Sequence, residues 1–395
     1  MTAYSTVYSI AWRQYSRSFR YPLQTHHGNW AKRQGILVCL QNASGRVGWG
    51  EIAPIPWFGS ETIDQAIEFF QSLKGQITLE QIAKIPNELP ACQFGLESAL
   101  EILRSDKADS LMRSNLFYSV LLSYKDFEEL EEQTDEWQKS CTRPLNSPQI
   151  GDSRTYIERW LGSPQNWGAR GAMQDVADSS IPSNRSLRAD AFSGSPQSST
   201  PFKLKIGVQE VDREINQIDR LLKVLPQTAK LRLDANGGLS DTETYQWLEW
   251  CDTRSQNSYS QIEFLEQPLP PDRFSEMQQL SQQFSTPIAL DESVATIAQL
   301  QDCYQRGWRG IFVIKPAIAG SPDRLRQFCQ DYQPDVVWSS ALETGIGRRY
   351  IENYLIPSTG LVDRAIGFGV DQWFTDDWGQ RDAKSLWQEL AAVKL

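Results

Sequence analysis

From Phe117 onward the chain alternates short apolar runs with amphipathic stretches, and this alternation limits its possible folds more than any other feature. The runs are Tyr118 to Leu122, Phe202 to Ile206, Ala229 to Leu233, Ile262 to Leu265, Pro287 to Leu290, Gly310 to Ile314 and Val336 to Ser339, with an eighth near Ala365 to Phe368. Short runs that are apolar throughout suit strands buried on both faces, as in parallel sheets. After the second run, Ile215, Ile218, Leu222 and Leu225 recur at helical spacing, giving the stripe a helix needs to cover such a sheet. Repeats of this kind predict an α/β fold closed into a TIM-like barrel.

The first hundred residues follow a different pattern and read as an α+β unit. Strands are expected near Val7 to Tyr15, Gly35 to Gln41 and Arg46 to Glu51, with a turn at Asn42-Ala43-Ser44-Gly45. Ser60 is the expected N-cap of a helix in which Ile63, Ala66, Ile67 and Phe70 share a face, and a second helix is expected around Cys92 to Arg104. The expected division is an α+β domain over 1–104, a barrel over 115–370 and a C-terminal segment over 371–395 that returns to the first domain. A polar insertion over about 124–200 interrupts the barrel. It opens with KDFEELEEQTDEWQK and ends in SGSPQSSTP, a composition that favours loop or disorder and reads as surface filler rather than a lid.

A net charge of −10 argues against a nucleic-acid partner, because phosphate binding needs a basic surface. The six cysteines include no CxxC pair, so zinc spacing and a compact disulfide framework are both excluded; buried or free thiols are expected. The N-terminal stretch is broken by polar residues, and no apolar stretch approaches the ~20 residues that span a bilayer. A cytoplasmic protein acting on a small molecule is the expectation, and its oligomeric state is open.

Chemistry is concentrated where the apolar runs end. Lys203 and Lys205 lie in FKLKIG, Asp234 in RLDANGG, Glu266 in EFLEQPL, Asp291 in ALDES and Lys315 in VIKPA. From Lys205 onward the separations are 29, 32, 25 and 24 residues, about one βα unit each, so these groups are expected to converge at one mouth of the barrel. Three carboxylates with no histidine or cysteine beside them make a hard, all-oxygen site suited to Mg²⁺, with Mn²⁺ also fitting. A lysine acting as a base needs its ordinary pKa of about 10.4 lowered by roughly three units. Lys203 and Lys205, two apart on a strand, face the same way, so each is expected to lower the other's proton affinity. With Lys315 opposite, the set suits removal of a proton beside a carboxylate, where a dication stabilises the enediolate.

These residues resemble the enolase superfamily in its muconate-lactonizing-enzyme subgroup. The resemblance runs from GWGEIAPIPWFGSET to the end of the barrel and leaves out the insertion. It implies a (β/α)7β barrel under an N-terminal capping domain, Mg²⁺ on Asp234, Glu266 and Asp291, and Lys205 as the base that later helps hydroxide leave. Lys203 would then tune Lys205 and contact the carboxylate, and Lys315 would stabilise the enediolate by its charge. SRSFRYPL, WSSALETGIG and GFGVDQWF are similar to the branch that dehydrates 2-succinyl-6-hydroxycyclohexa-2,4-diene-1-carboxylate to 2-succinylbenzoate in menaquinone or phylloquinone biosynthesis.

A dicarboxylate of that kind needs a second anion site, for which Arg232, Ser339, Ser340 and the backbone near Gly367 are the candidates. Arg232 could instead pair with a metal-ligand carboxylate, and Asn236 is expected to orient the Mg²⁺ ligands from behind. Arg33 is a weaker candidate on the substrate side; His26 and His27 are expected to be bystanders in a loop over the mouth. N-succinylamino acid racemisation or dipeptide epimerisation on the same scaffold is the alternative. The stretch Asp371-Gln372-Trp373 lacks the DxD pair that dipeptide epimerases use. A barrel that binds an acidic metabolite without turning it over is the alternative of another class.

Overall fold

The computed structural model describes residues 6–25, 28–105, 116–122, 201–225, 228–255 and 261–392. The expected insertion, from its start to residue 200, lies outside the described residues, as do His26 and His27.

The N-terminal unit is an antiparallel sheet of β1 (Val7–Thr25), β2 (Gly28–Gln41), β3 (Val47–Ile52) and β4 (Gln76–Thr78), ordered β3-β2-β1-β4. β1 runs well past the expected Tyr15. It first buries Tyr8 and Ile10 against the helices of its own unit, then buries alternate residues Tyr15, Arg17 and Phe19 on the opposite face. A polar residue in that second set hides the strand from a reading based on apolar alternation. The first helix, α1 (Ile63–Ser72), is capped by Thr62 rather than Ser60: the Thr62 side chain accepts from Gln65 N–H and the Gln65 side chain from Thr62 N–H. A cap of this kind contributes about 1 kcal/mol. Ser60 Oγ instead accepts the Ile55 amide at 2.6 Å. After the short α2 (Leu79–Ala83), α3 (Pro90–Arg104) lies directly on β3. A Cβ at Gly48 would stand 1.9 Å from the Ala99 carbonyl oxygen, and one at Gly50 1.9 Å from that of Gly95, so GWGE needs its two glycines for this approach.

The second unit is a parallel sheet of β5 (Val120–Leu122), β6 (Pro201–Lys205), β7 (Lys230–Asp234), β8 (Ile262–Glu266), β9 (Ile288–Leu290), β10 (Ile311–Ile314) and β11 (Val336–Trp338), paired in chain order. The expected eighth run closes it. Ile366 bridges Tyr118 at one edge and Gly367 bridges Ser339 at the other, both parallel. This strand is reduced to single bridges, but it joins the two edges into the expected (β/α)7β barrel. Side chains alternate strictly along the strands. Phe264, Ala289, Ile311, Val313 and Val337 fill the barrel interior, whereas Leu265, Leu290, Phe312 and Ile314 belong to the larger cluster under the helices. In α4 (Val211–Val224) Val211, Glu214, Ile218 and Leu221 are buried, with Ile215 and Leu222 partly covered.

The two units are joined by packing. Trp30, Trp57 and Phe58 of the first unit pack against the barrel's main cluster. The C-terminal helix Ala383–Ala392 puts Leu386, Trp387 and Leu390 against Tyr15, Leu37 and Trp49 of the N-terminal sheet. Among the described residues, five cysteines are free thiols, and no helix is long and apolar enough to cross a membrane.

Candidate active site

Alternation places the charged series. With Phe264, Ile311, Val313 and Val337 facing inward, the same parity turns Lys203, Lys205, Asp234, Glu266, Asp291, Lys315 and Ser339 toward the barrel axis at or just past the strand ends. Register adds depth. Lys205 pairs with Asp234 and Asp234 with Glu266, forming one row across three strands, and Lys203 pairs with Arg232 in the row beneath.

Within that mouth the acids and lysines touch. Lys203 Nζ lies 2.8 Å from Asp234 Oδ2 and 2.7 Å from Glu266 Oε1. Lys315 Nζ is paired with Asp291 Oδ1 and also stands 4.3 Å from the centre of the Phe58 ring. Lys205 is the most open member of the set, and the three acids are nearly fully buried. Burial alone would drive the Lys203 ammonium toward neutrality, but attraction to Asp234, Glu266 and Asp291 outweighs it and raises its proton affinity. For Lys203 this runs against the expected lowering by its neighbouring lysine: Lys203 has two carboxylates in contact, which the sequence could not show. Burial and then repulsion from Asp234 push Glu266 well above the usual carboxylate range. For Asp234 burial acts upward too, but Lys203 more than offsets it and the group is lowered. We attribute the difference to Glu266 facing both other acids.

The neighbouring residues fix these groups in place. Asn236, in a left-handed conformation at φ 46°, donates its N–H to Asp234 Oδ1 at 3.0 Å and its side-chain amide to Glu292 Oε1 at 3.2 Å. Sequence reasoning passed over Gln267, which is fully buried at φ 37°. Its Oε1 accepts the amides of Asp291 and Ser293, and its Nε2 donates to Leu269 O and Ser293 Oγ, so it holds the end of β9 in place. The signal was its place directly after Glu266 in EFLEQPL. Glu292 was also missed. Burial and then Asp291 and Asp234 push it up to about 8, and its Oε2 is buried with no hydrogen-bond partner in the described structure.

The donor chemistry fits a hard divalent cation. Four acids face one another, all offering oxygen, and one carboxylate oxygen is unsatisfied. Their spacing is that of an ammonium-bridged arrangement: among the described residues no three acids are drawn together tightly enough to hold an ion as they stand. Lys203 and Lys315 lie between them and would have to turn aside.

Arg232, an expected anion contact, and Arg33, the weaker candidate on the substrate side, are both engaged within the protein. Arg232 is one row below the acids, where Nε and Nη2 bind Glu263 at 2.7 and 3.2 Å and Nη1 binds the Ala365 carbonyl at 2.9 Å. It shares Asp234's parity but not its depth, and it forms an ion pair under the site rather than reaching substrate. Arg33 is likewise spent, on the carbonyls of Ala341, Gln34, Pro54 and Ala53. Ser339 and Gly367 do lie side by side at the mouth, where a Cβ on Gly367 would be 3.4 Å from Ser339 Oγ. The Ser340 hydroxyl is turned to Glu343, at 3.0 and 3.1 Å. Aromatic rings roof the mouth: Trp30 packs edge-on against Trp57 and Phe19, and Phe19 stacks on Phe374.

Comparison with known proteins agrees with this fold. Residues 12–103 match the family described as MenC, N-terminal domain, and residues 194–347 the enolase C-terminal domain-like family. The chain is 35% identical over 365 residues to an o-succinylbenzoate synthase of Thermosynechococcus vestitus, covering 92% of each chain. A crystal structure of o-succinylbenzoate synthase from Thermosynechococcus elongatus BP-1, complexed with Mg in the active site, superposes with a TM-score of 0.70 at 32% identity over 96% of this chain and 99% of that one. The L-Ala-D/L-Glu epimerase of Bacillus subtilis shares the fold, with a TM-score of 0.59 at 18% identity over 93% of this chain and 91% of that one.

Proposed function

Because the chain belongs to the o-succinylbenzoate synthase family of the enolase superfamily, we propose that it is a carbon–oxygen lyase that dehydrates 2-succinyl-6-hydroxycyclohexa-2,4-diene-1-carboxylate to 2-succinylbenzoate, a step of menaquinone or phylloquinone biosynthesis. The observation that carries this reading is the in-register row of Lys205, Asp234 and Glu266, continued after the neighbouring strand by Asp291 with its partner Lys315.

In this reading Asp234, Glu266 and Asp291 hold Mg²⁺. When bound, the ion supplies positive charge beside the ring carboxylate, which makes loss of the neighbouring proton less costly. Lys205, the most exposed lysine of the set, takes that proton from the carbon next to the carboxylate. It then returns it to the departing hydroxide, so that one C–H and one C–O bond break, water leaves and the ring becomes aromatic. Lys203 and Lys315 supply positive charge that offsets the negative charge building up between these steps. Ser339, with the Ser340 and Gly367 backbone, meets the succinyl carboxylate; Phe58, Trp57 and Trp30 keep bulk water from the mouth.

Dipeptide epimerisation is disfavoured by a specific contact. Asp371, the one acid in the stretch where dipeptide epimerases carry a pair, has Oδ2 bound to Arg348 at 2.9 Å, and the Gln372 side chain is bound to the Gly369 carbonyl. The test compares two substrates on Mg²⁺-loaded protein: ultraviolet loss of the cyclohexadiene, and deuterium uptake from solvent by an N-succinylamino acid. A kcat/KM higher for the diene by at least about a hundredfold is expected. The reverse order would reassign the enzyme as a racemase.

A further inference from the structure

The loop after β11, from Ser339 to Thr344, contains a strained residue: Leu342 has φ 62°, a left-handed conformation that is costly for a leucine. Such a turn persists only where its surroundings impose it, and here they do so from the N-terminal sheet. Glu51, on β3 and fully buried, accepts the Thr344 amide on Oε1 at 2.8 Å, and the Thr344 hydroxyl and Gly347 amide on Oε2 at 2.6 and 3.0 Å. Its fourth donor is the Tyr15 hydroxyl at 2.5 Å. Two arginines of the same sheet grip the loop's carbonyls. Arg33 Nε donates to Ala341 O at 3.1 Å, and Arg17 Nη1 to Glu343 O at 3.3 Å, while Arg17 is itself held by Asp376. Within the loop, Ser340 Oγ donates to the Glu343 carboxylate and accepts the Leu342 amide at 2.8 Å.

We infer that Glu51 is a positioning residue for substrate binding: from the N-terminal sheet it fixes the loop that presents Ser339 and Ser340, so that docking of the sheet on the barrel and formation of the pocket for the succinyl carboxylate are one event. The inference rests on the proposed synthase reading for the identity of the ligand. The strain and the hydrogen bonds stand without it. Each Glu51 oxygen accepts one backbone amide and one hydroxyl, so the NH₂ of an uncharged amide in its place would face a backbone N–H that can only donate.

The experiment uses Glu51→Gln, with Thr344→Val and Thr344→Ser as milder variants that keep the carboxylate. Amide hydrogen exchange across 341–347 reports the loop, and steady-state kinetics on the diene report the pocket. Glu51→Gln and Thr344→Val are expected to speed exchange in this loop at least tenfold. KM should rise at least fivefold with kcat within threefold and the Mg²⁺ requirement unchanged. Thr344→Ser, which keeps the hydroxyl, should restore both. Exchange unchanged in Thr344→Val would overturn the inference, even if Glu51→Gln fails to fold. So would faster exchange with unchanged KM, or a fall in kcat alone. A wild-type protein that does not turn over the diene would sink the synthase reading instead, and the exchange measurement would still decide whether Glu51 holds the loop.

Discussion

Replacing Lys203 by methionine tests the electrostatics of the site, because one ammonium stands between two nearly fully buried carboxylates, 2.8 Å from Asp234 and 2.7 Å from Glu266. Methionine keeps much of the apolar stem and removes the charge. Breaking a buried ion pair from one side costs about 3–5 kcal/mol. We expect the lower end, because Glu266 already tends to hold a proton and can take one up to limit the cost. For 395 residues the unfolding entropy is about 0.8 kcal/mol/K, so about 3 kcal/mol corresponds to a fall in Tm of about 4 °C in metal-free protein. Mg²⁺ should act in the opposite sense. Two unit charges about 4 Å apart at an effective dielectric of 20 interact by about 4 kcal/mol, and even a quarter of that repulsion relieved gives roughly fivefold tighter binding. Thermal denaturation without and with Mg²⁺, together with calorimetric titration, measures both. Metal-free Tm equal to wild type would show that Lys203 is not compensating the acids, and weaker Mg²⁺ binding would refute the view that ammonium and dication compete for the same carboxylates.

Two further outcomes are expected. Lys205→Ala should lower kcat by about a thousandfold or more, with Tm within about 2 °C of wild type, since the side chain is exposed at the mouth rather than packed in the core; near-normal turnover would remove Lys205 as the base. Glu97, whose carboxylate accepts from Ser321 Oγ, is raised by burial to about 7, above its unfolded value. The native state therefore holds a proton that the unfolded chain has lost between about pH 4.5 and 7, and stability falls as pH rises through that window. Glu97→Gln should gain about 1–3 kcal/mol at pH 8 and little at pH 4, measured by denaturant unfolding at both. Equal gains at both would place the effect outside this titration.

The barrel and its charged row were legible because both follow from a period. Apolar runs one βα unit apart fix the strands, and a strand's alternation carries a residue at its end to the axis. Depth is not periodic in the same way. Arg232 and Asp234 share a face, and only the register with Lys203 and Phe264 shows that Arg232 lies a row lower, against Glu263. The eighth strand was visible as a weak run because two bridges, at Ile366 and Gly367, are all it contributes. Contacts between units left no local trace. Glu51 meets Thr344 across 293 positions, and Phe58 of the N-terminal unit reaches Lys315 of the barrel. The proton affinity of Lys203 was misread for the same reason: its carboxylate neighbours come from other strands.

The account turns on metal-assisted proton removal by Lys205, and Mg²⁺-dependent turnover of the diene tests it most directly. Absorbance loss with stoichiometric formation of 2-succinylbenzoate should vanish with a chelator, return with Mg²⁺ and be absent from folded Lys205→Ala. Turnover that persists in chelator, or none from folded, Mg²⁺-loaded wild type, would contradict it.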